Sequence, residues 1–392
     1  MPLWLVITGL GITQIIGWGT TYYALGALSQ DIAHSMGWSK TLIFGAFSAA
    51  LLVSGLISRR AGRFVDQHGG RRLMMLGSAL SALGLVIIGL LPHPSTYIAG
   101  WLVLGVAMRL ATYDAAFASL AQIARGNARR AISYLTLFGG LASTVFWPAS
   151  HFLSEWIGWS GTLLAYAALH LVVCLPIHAT VLREANGDTA TEAEAETPDP
   201  QMPLRGQERR QAMALFAAVL ALNGLVFSAI SAHVVPLFEG LGFMGAEAVT
   251  MAALIGPSQV ASRIGEILLG GKLKAVQLGL IAFGLLPVAL AIFAGGGFGW
   301  QSALVFAVLY GASNGLVTIA KGAVPLVLFG RKGYGEVLGI LSAPNLVLNA
   351  MAPLLFSLLL GLTSPQSALL IAGGFAVVSS LAMVWLARLH PR

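Results

Sequence analysis

Charge is what this sequence has least of. Asp, Glu, Lys and Arg make up 9% of its 392 residues, and 57% are hydrophobic, whereas a soluble domain carries about 25% charged residues. Twenty-two basic and 15 acidic side chains cannot give a chain of this length a water-facing surface. That excludes a soluble enzyme or binding module and leaves an all-α integral membrane protein embedded in a lipid bilayer. Cysteine is nearly absent. Cys174 stands alone, so neither an intramolecular disulfide nor a cysteine-based metal cluster can form. The first basic residue is Lys40, so the opening apolar run lacks the positive n-region of a cleavable signal peptide and reads as a retained helix. There is no H-E-x-x-H and no P-loop, which argues against an intramembrane metalloprotease or an ATP-driven pump. The chain is therefore not expected to be an enzyme or to carry a cofactor or metal. Glycine, by contrast, is plentiful at 47 residues, as suits closely packed membrane helices.

A membrane crossing needs about 20 apolar residues. Stretches of that kind run at roughly 4–27, 40–58, 73–91, 96–119, 131–153 and 161–181, then at 211–236, 246–269, 275–295, 300–328, 336–361 and 366–387. This gives twelve transmembrane helices in two sets of six: an N-terminal bundle over 1–182, a linker over 183–210 and a C-terminal bundle over 211–392. The linker is rich in Ala, Thr, Glu and Pro, a composition that builds no core and reads as a solvated tether. If both termini face the cytoplasm, eighteen of the 22 Lys and Arg fall in cytoplasmic segments and only Lys40 faces out. The positive-inside rule thus accounts for the net charge of +7 without a nucleic-acid partner. Pro148 and Pro353 are spaced like Gly62 and Gly270 to within a few residues, which suggests that the two six-helix halves are pseudo-symmetric copies.

The connection after the second stretch reads Gly62-Arg-Phe-Val-Asp66-Gln-His-Gly69-Gly-Arg71-Arg72. It resembles the major facilitator superfamily signature G-x-x-x-D-R-x-G-R-R, with Gln67 in place of the family's Arg and one residue inserted before the paired arginines. This variant, together with Gly37-Trp38-Ser39 and Gly158-Trp159-Ser160-Gly161, resembles the monocarboxylate-porter and oxalate/formate-exchanger branch. The stretch from Tyr310 to Gly330 looks like one found in proteobacterial members, implying a bacterial inner (plasma) membrane location. The resemblance implies the major facilitator fold and a conformational latch. In that latch Gly62 permits close approach, Asp66 meets the positive end of the helix starting near Glu336, and Arg71 and Arg72 hold the cytoplasmic face.

Ionisable groups inside a bilayer are costly and mark pathways or partners. Apart from Lys40, Glu247 and Glu336 at the very ends of stretches, five lie inside them: Arg109 and Asp114 in the fourth, Arg263 and Glu266 in the eighth, and Lys321 in the tenth. The third, sixth, ninth and twelfth have none, and the resemblance places those four against lipid. Arg109 is a candidate anion clamp, since a guanidinium holds a carboxylate with two parallel bonds. Arg263 follows Gly256 and Gln259 in a spacing that resembles the porters' G-x-x-D-x-x-x-R, with Gln259 at the family's acid position. Asn314, Gln14, Tyr22 and Lys321 are further substrate-binding candidates; Gln14, Trp18 and Tyr22 are four apart and share a helical face. Asp114 and Glu266 are the default proton carriers. On a continuous helix Arg109 and Asp114, five apart, do not share a face, so they are not expected to pair directly. His170 and His178 read as satisfied or interfacial histidines.

These features point to a monomeric secondary transporter moving a small solute by alternating access with proton coupling or exchange. The excess of buried positive charge favours an organic anion. The alternative is proton-driven efflux of a toxic or secreted compound such as an arsenical, a siderophore or a drug.

Overall fold

The computed structural model describes residues 1–182, 203–269 and 273–390, and every regular element among them is helical. Most of the expected linker, Gly270 of the repeat spacing, and Lys272 and Arg392 of the charge count lie outside the described residues, as does the Arg125 side chain.

The first crossing is α1 (Leu3–Trp18), a π turn (Gly19–Tyr23) and α2 (Ala24–Met36). Then come α3 (Lys40–His68), α4 (Gly70–Leu90), α5 (Pro94–Ala111) with α6 (Tyr113–Ile123), α7 (Ala128–Gly140), α8 (Ala142–Leu169) and α9 (Leu175–Val181). The remainder is α10 (Gly206–Gly240), α11 (Gly245–Leu268), α12 (Ala275–Gly295), α13 (Trp300–Phe329), α14 (Tyr334–Leu362) and α15 (Pro365–Leu389). Ten stretches among the described residues are long and apolar enough to cross a bilayer. One of them, the 54-residue Ala128–Val181, contains two crossings, because Gly158 turns the chain at φ 71°, a left-handed conformation that a Cβ would strain. The helix α11 falls short of the apolar criterion because Ser258, Gln259, Ser262, Arg263 and Glu266 interrupt it. With these two adjustments the crossings number twelve among the described residues.

Local chemistry sets the helix ends. Ser39 caps α3 by accepting the Leu42 N–H at 3.2 Å. Pro94 and Pro365 occupy first turns, where their missing N–H groups cost nothing.

The chain divides into two compact units, one of Met1–Met202 with Phe329–Ala343, the other of Pro203–Leu328 with Pro344–Arg392. In the first, α4 packs on α5 and α8, α3 on α5, and α1 on α7. His178 bridges Ser78 (2.9 Å) and Thr13 (3.0 Å), and His170 bonds Thr20 at 2.7 Å within the π turn, so both buried rings have protein partners. In the second unit α10 and α12 pack on α15, around a core in which Phe238, Phe293, Phe306 and Tyr310 are fully buried. Its helix α10 starts at Gly206, inside the span that composition alone assigns to the linker.

Candidate functional site

The fourth crossing is broken. Thr112 has extended backbone angles (φ −92°, ψ −165°) between α5 and α6, and the break changes which side chains meet. On an unbroken helix Arg109 and Asp114 would point about 140° apart. Here the step at Thr112 turns Asp114 back, and Arg109 Nη1 donates to Asp114 Oδ2 in an ion pair. The expectation that these two do not pair directly is therefore overturned. Both are buried, with 5% and 8% of their surface exposed. The second guanidinium nitrogen of Arg109 lies 3.5 Å from the Ser58 carbonyl on α3. The break is held from two sides: Gln14 of α1 donates from Nε2 to the Ala111 carbonyl at 2.9 Å, and the Tyr113 hydroxyl donates to Thr136 O on α7 at 3.3 Å. Gln14 is fully buried, and its Oε1 has no hydrogen-bond partner among the described residues.

Above the break lies a set of aromatic rings. Trp18 meets Tyr113 with ring centres 5.3 Å apart and Tyr22 at 5.4 Å, while Tyr22 meets Phe47 edge-on at 5.1 Å. The π turn inserts a residue between Trp18 and Tyr22, a local widening that often marks functional stretches of membrane helices. Gln14 thus meets the discontinuity directly at the Ala111 carbonyl, and Tyr22 only by way of Trp18, which touches Tyr113.

At its polar end α3 meets the start of α14, within the same unit. The Asp66 carboxylate accepts the backbone N–H groups of Gly335 (2.8 Å) and Glu336 (2.7 Å), two of the orphan donors that open any helix and carry its positive dipole end. A Cβ on Gly62 would run into the Gly335 carbonyl, and one on Gly339 into the Ser58 carbonyl, so the two backbones touch. Glu336 accepts from Arg59 Nε at 2.8 Å and Arg63 Nη2 at 2.7 Å. Its ion pairs are thus made by Arg59 and Arg63, not by Arg71 and Arg72, of which Arg71 is half-buried and Arg72 exposed. Sequence reading missed Arg59, Arg63, Ser58, Gly335 and Gly339. The spacing Gly335-x-x-x-Gly339 opposite Ser58-x-x-x-Gly62 is the pattern that could have exposed the crossing.

In the second unit Arg263 is 4% exposed and reaches from α11 to α13, its Nε donating to Gly315 O (3.3 Å) and its Nη2 to Thr318 Oγ1 (3.2 Å). The two helices touch through glycine, since a Cβ on Gly315 would meet the Gln259 carbonyl. Asn314, Gln259 and Lys321 are half-buried along this contact, and Glu266 is buried one turn beyond Arg263. The sequence also holds a G-x-S-x-G at Gly311–Gly315. Its Ser313 is buried in mid-helix and donates to Ala282 O at 2.7 Å, so the motif is a helix-packing device rather than the strand-to-helix elbow of a hydrolase.

A chain of apolar helices, with its ionic groups gathered at helix breaks and glycine contacts, has the make-up of a membrane transporter. The family model of the Major Facilitator Superfamily matches residues 10–276, and the chain belongs to that superfamily. Among curated proteins it is similar to monocarboxylate transporter 11 of Mus musculus, 28% identical over 86% of this chain and 78% of that protein. The Homo sapiens counterpart is 27% identical, over 88% and 72%. Among solved structures it resembles the human organic anion transporter MFSD10 (TETRAN), with TM-score 0.76 and 16% identity over 98% of this chain and 100% of that one. It also resembles the proton:xylose symporter XylE, with TM-score 0.72 and 14% identity over 98% and 95%. The resemblance to the monocarboxylate branch is thus carried by relatives matched over most of their length as well as by the loop motif. The protein is a multi-pass secondary transporter of a small molecule, not an enzyme.

Proposed function

We propose that this transporter carries a small organic anion, with one proton taken up at Asp114 for each anion held at Arg109. The observation that carries the reading is the buried Arg109–Asp114 pair at the break of the fourth crossing. An isolated guanidinium in a low-dielectric interior is expensive, so Arg109 needs a carboxylate at all times. An incoming substrate carboxylate can replace that of Asp114 if Asp114 is protonated as it leaves, and the net charge of the site is then unchanged. A bare proton or a bare anion would each leave an uncompensated charge, which is the physical basis of tight coupling. Arg263, Gln259, Asn314 and Lys321 are the proposed contacts of the second unit, with Glu266 as a further proton acceptor. Gln14 and Tyr22 complete the first unit's contribution. The names of the relatives, a monocarboxylate transporter and an organic anion transporter, support an anionic cargo.

The contact of Asp66 and Gly62 with α14 is proposed as a latch that closes in one state of an alternating-access cycle and opens in the other. The distribution of Lys and Arg supports cytoplasmic termini; a bacterial inner membrane and a monomeric carrier complete the proposal.

Flux into proteoliposomes tests the assignment. Small labelled carboxylates are expected to accumulate under an imposed pH gradient without ATP, with Arg109→Ala inactive. Undiminished carboxylate accumulation by the Arg109→Ala protein, or accumulation of neutral or cationic solutes instead of carboxylates by the wild type, would overturn it. Running the gradient in both orientations separates uptake from efflux.

A further inference from the structure

The Ser58–Val65 stretch of α3 has two neighbours, and both use the same backbone. One is α14: Gly339 packs against the Ser58 carbonyl and the Arg59 backbone, Gly335 against Gly62, and Asp66 takes the two N–H groups at the helix start. The same stretch also borders a crevice lined by Ala61, Gly62, Val65, Leu73, Arg109 and Asp114. Arg109 reaches through to the Ser58 carbonyl, the same atom that Gly339 abuts. The ion pair and the anchored helix are thus separated by a single turn of α3 that lacks side-chain bulk where it counts.

We propose that the Arg109–Asp114 pair is a strut for the α14 contact: while it is closed, the Ser58–Gly62 turn keeps the shape onto which Gly335 and Gly339 fit, and when it opens, Asp66 loses the N–H groups of α14. The inference rests on reading that contact as one that opens during transport. It adds that the opening is controlled by the ion pair rather than by the exposed arginines around Glu336. The groups facing Asp114 fit a two-position device. Arg109 comes from α5, and Tyr334, the residue before Gly335 at the start of α14, is fully buried. The crevice residues of α3 and α4, Ala61, Gly62, Val65 and Leu73, carry no charge. Contacts made backbone to backbone have no flexible side chains to absorb a shift, so a displacement of a fraction of an ångström in α3 is passed on rather than damped.

Hydrogen exchange read by mass spectrometry on the full chain in lipid nanodiscs tests the strut. The peptide covering Gly333–Gly339 reports the two N–H groups held by Asp66. Asp66→Asn serves as the reference, and its peptide is expected to exchange about tenfold faster than wild type. Asp114→Asn is expected to reproduce that acceleration with Asp66 intact, and Asp114→Glu to leave the peptide protected. If Asp66→Asn accelerates exchange and Asp114→Asn does not, the strut is refuted and the latch stands. If Asp66→Asn itself changes nothing, the latch reading falls, and the strut with it. Should Asp114→Asn not fold, Arg109→Gln opens the pair from the other side and is read in the same way. Failure of both to fold would overturn the proposal, because a switch must survive its own opening.

Discussion

Arg109 and Asp114 are five residues apart in a stretch with no proline or glycine between them, and nothing in their spacing shows that they touch. What could be read was the expense of placing either in hydrocarbon, which marks both as functional or paired. What could not be read was the step at Thr112, since β-branched threonine is common in membrane helices and breaks none by itself. The break is a tertiary effect, fixed by Gln14 on the Ala111 carbonyl and by Tyr113 on Thr136. A double-mutant cycle measures what the pair is worth. Removing either partner alone, as Arg109→Ala or Asp114→Ala, is expected to cost about 3–5 kcal/mol in unfolding free energy, because a buried charge is left uncompensated. The double variant should cost clearly less than the sum of the two. Additive losses would mean that the pair is solvated and holds nothing. Arg109→Lys keeps the charge but loses the fork geometry, so it should fold like wild type and bind substrate much more weakly, as isothermal titration with a transported carboxylate would show.

Between elements, the α3–α14 crossing is the contact on which most depends. Its polar half was legible through the family resemblance, which implies that Asp66 meets the positive end of the helix starting near Glu336. Its steric half was not, because glycine is so frequent in this sequence that Gly335 and Gly339 do not stand out. The ion pairs to Glu336 were not foreseen. Arg71 and Arg72 satisfy the loop motif, but Arg59 and Arg63, spaced i and i+4 on α3, are the ones on the face that meets Glu336. Two substitutions separate the steric from the ionic contribution. Gly62→Ala places a methyl group against the Gly335 carbonyl and is expected to destabilise the closed contact by about 1–3 kcal/mol, as overpacking does. Glu336→Gln leaves the crossing intact and disturbs only pairs whose arginines are half or more exposed, where solvent screening leaves little to lose. Thermal unfolding and exchange of the α14 N–H groups should respond strongly to the first and barely to the second. The reverse order would make the exposed charges the true fastening.

At the scale of the whole molecule, hydropathy and the placement of Lys and Arg were enough to read twelve crossings, while the resemblance to the superfamily was carried by the Gly62–Arg72 loop motif. The helices that carry ionic groups could be told from those that do not, and because a bilayer penalises charge, each exception is informative. The same penalty hides what is carried, since a cavity that binds lactate and one that binds an aromatic acid differ by a few side chains on otherwise identical helices. Coupling, however, has a consequence for the entire cycle that can be measured before the cargo is optimised. If Asp114 must be protonated for the substrate to take Arg109, an Asp114→Asn protein is permanently in the protonated-like state. It should bind and exchange substrate across the membrane, because the loaded carrier can cross in both directions. It should fail in net uptake driven by a pH gradient, because the empty carrier can no longer release a proton and restore the ion pair that stabilises the return. Counterflow of labelled substrate at near wild-type rates, together with loss of pH-driven accumulation, is the expected pair of results. Net accumulation that keeps its dependence on the pH gradient in Asp114→Asn would move the proton elsewhere, with Glu266, the other buried carboxylate among the described residues, as the next place to look.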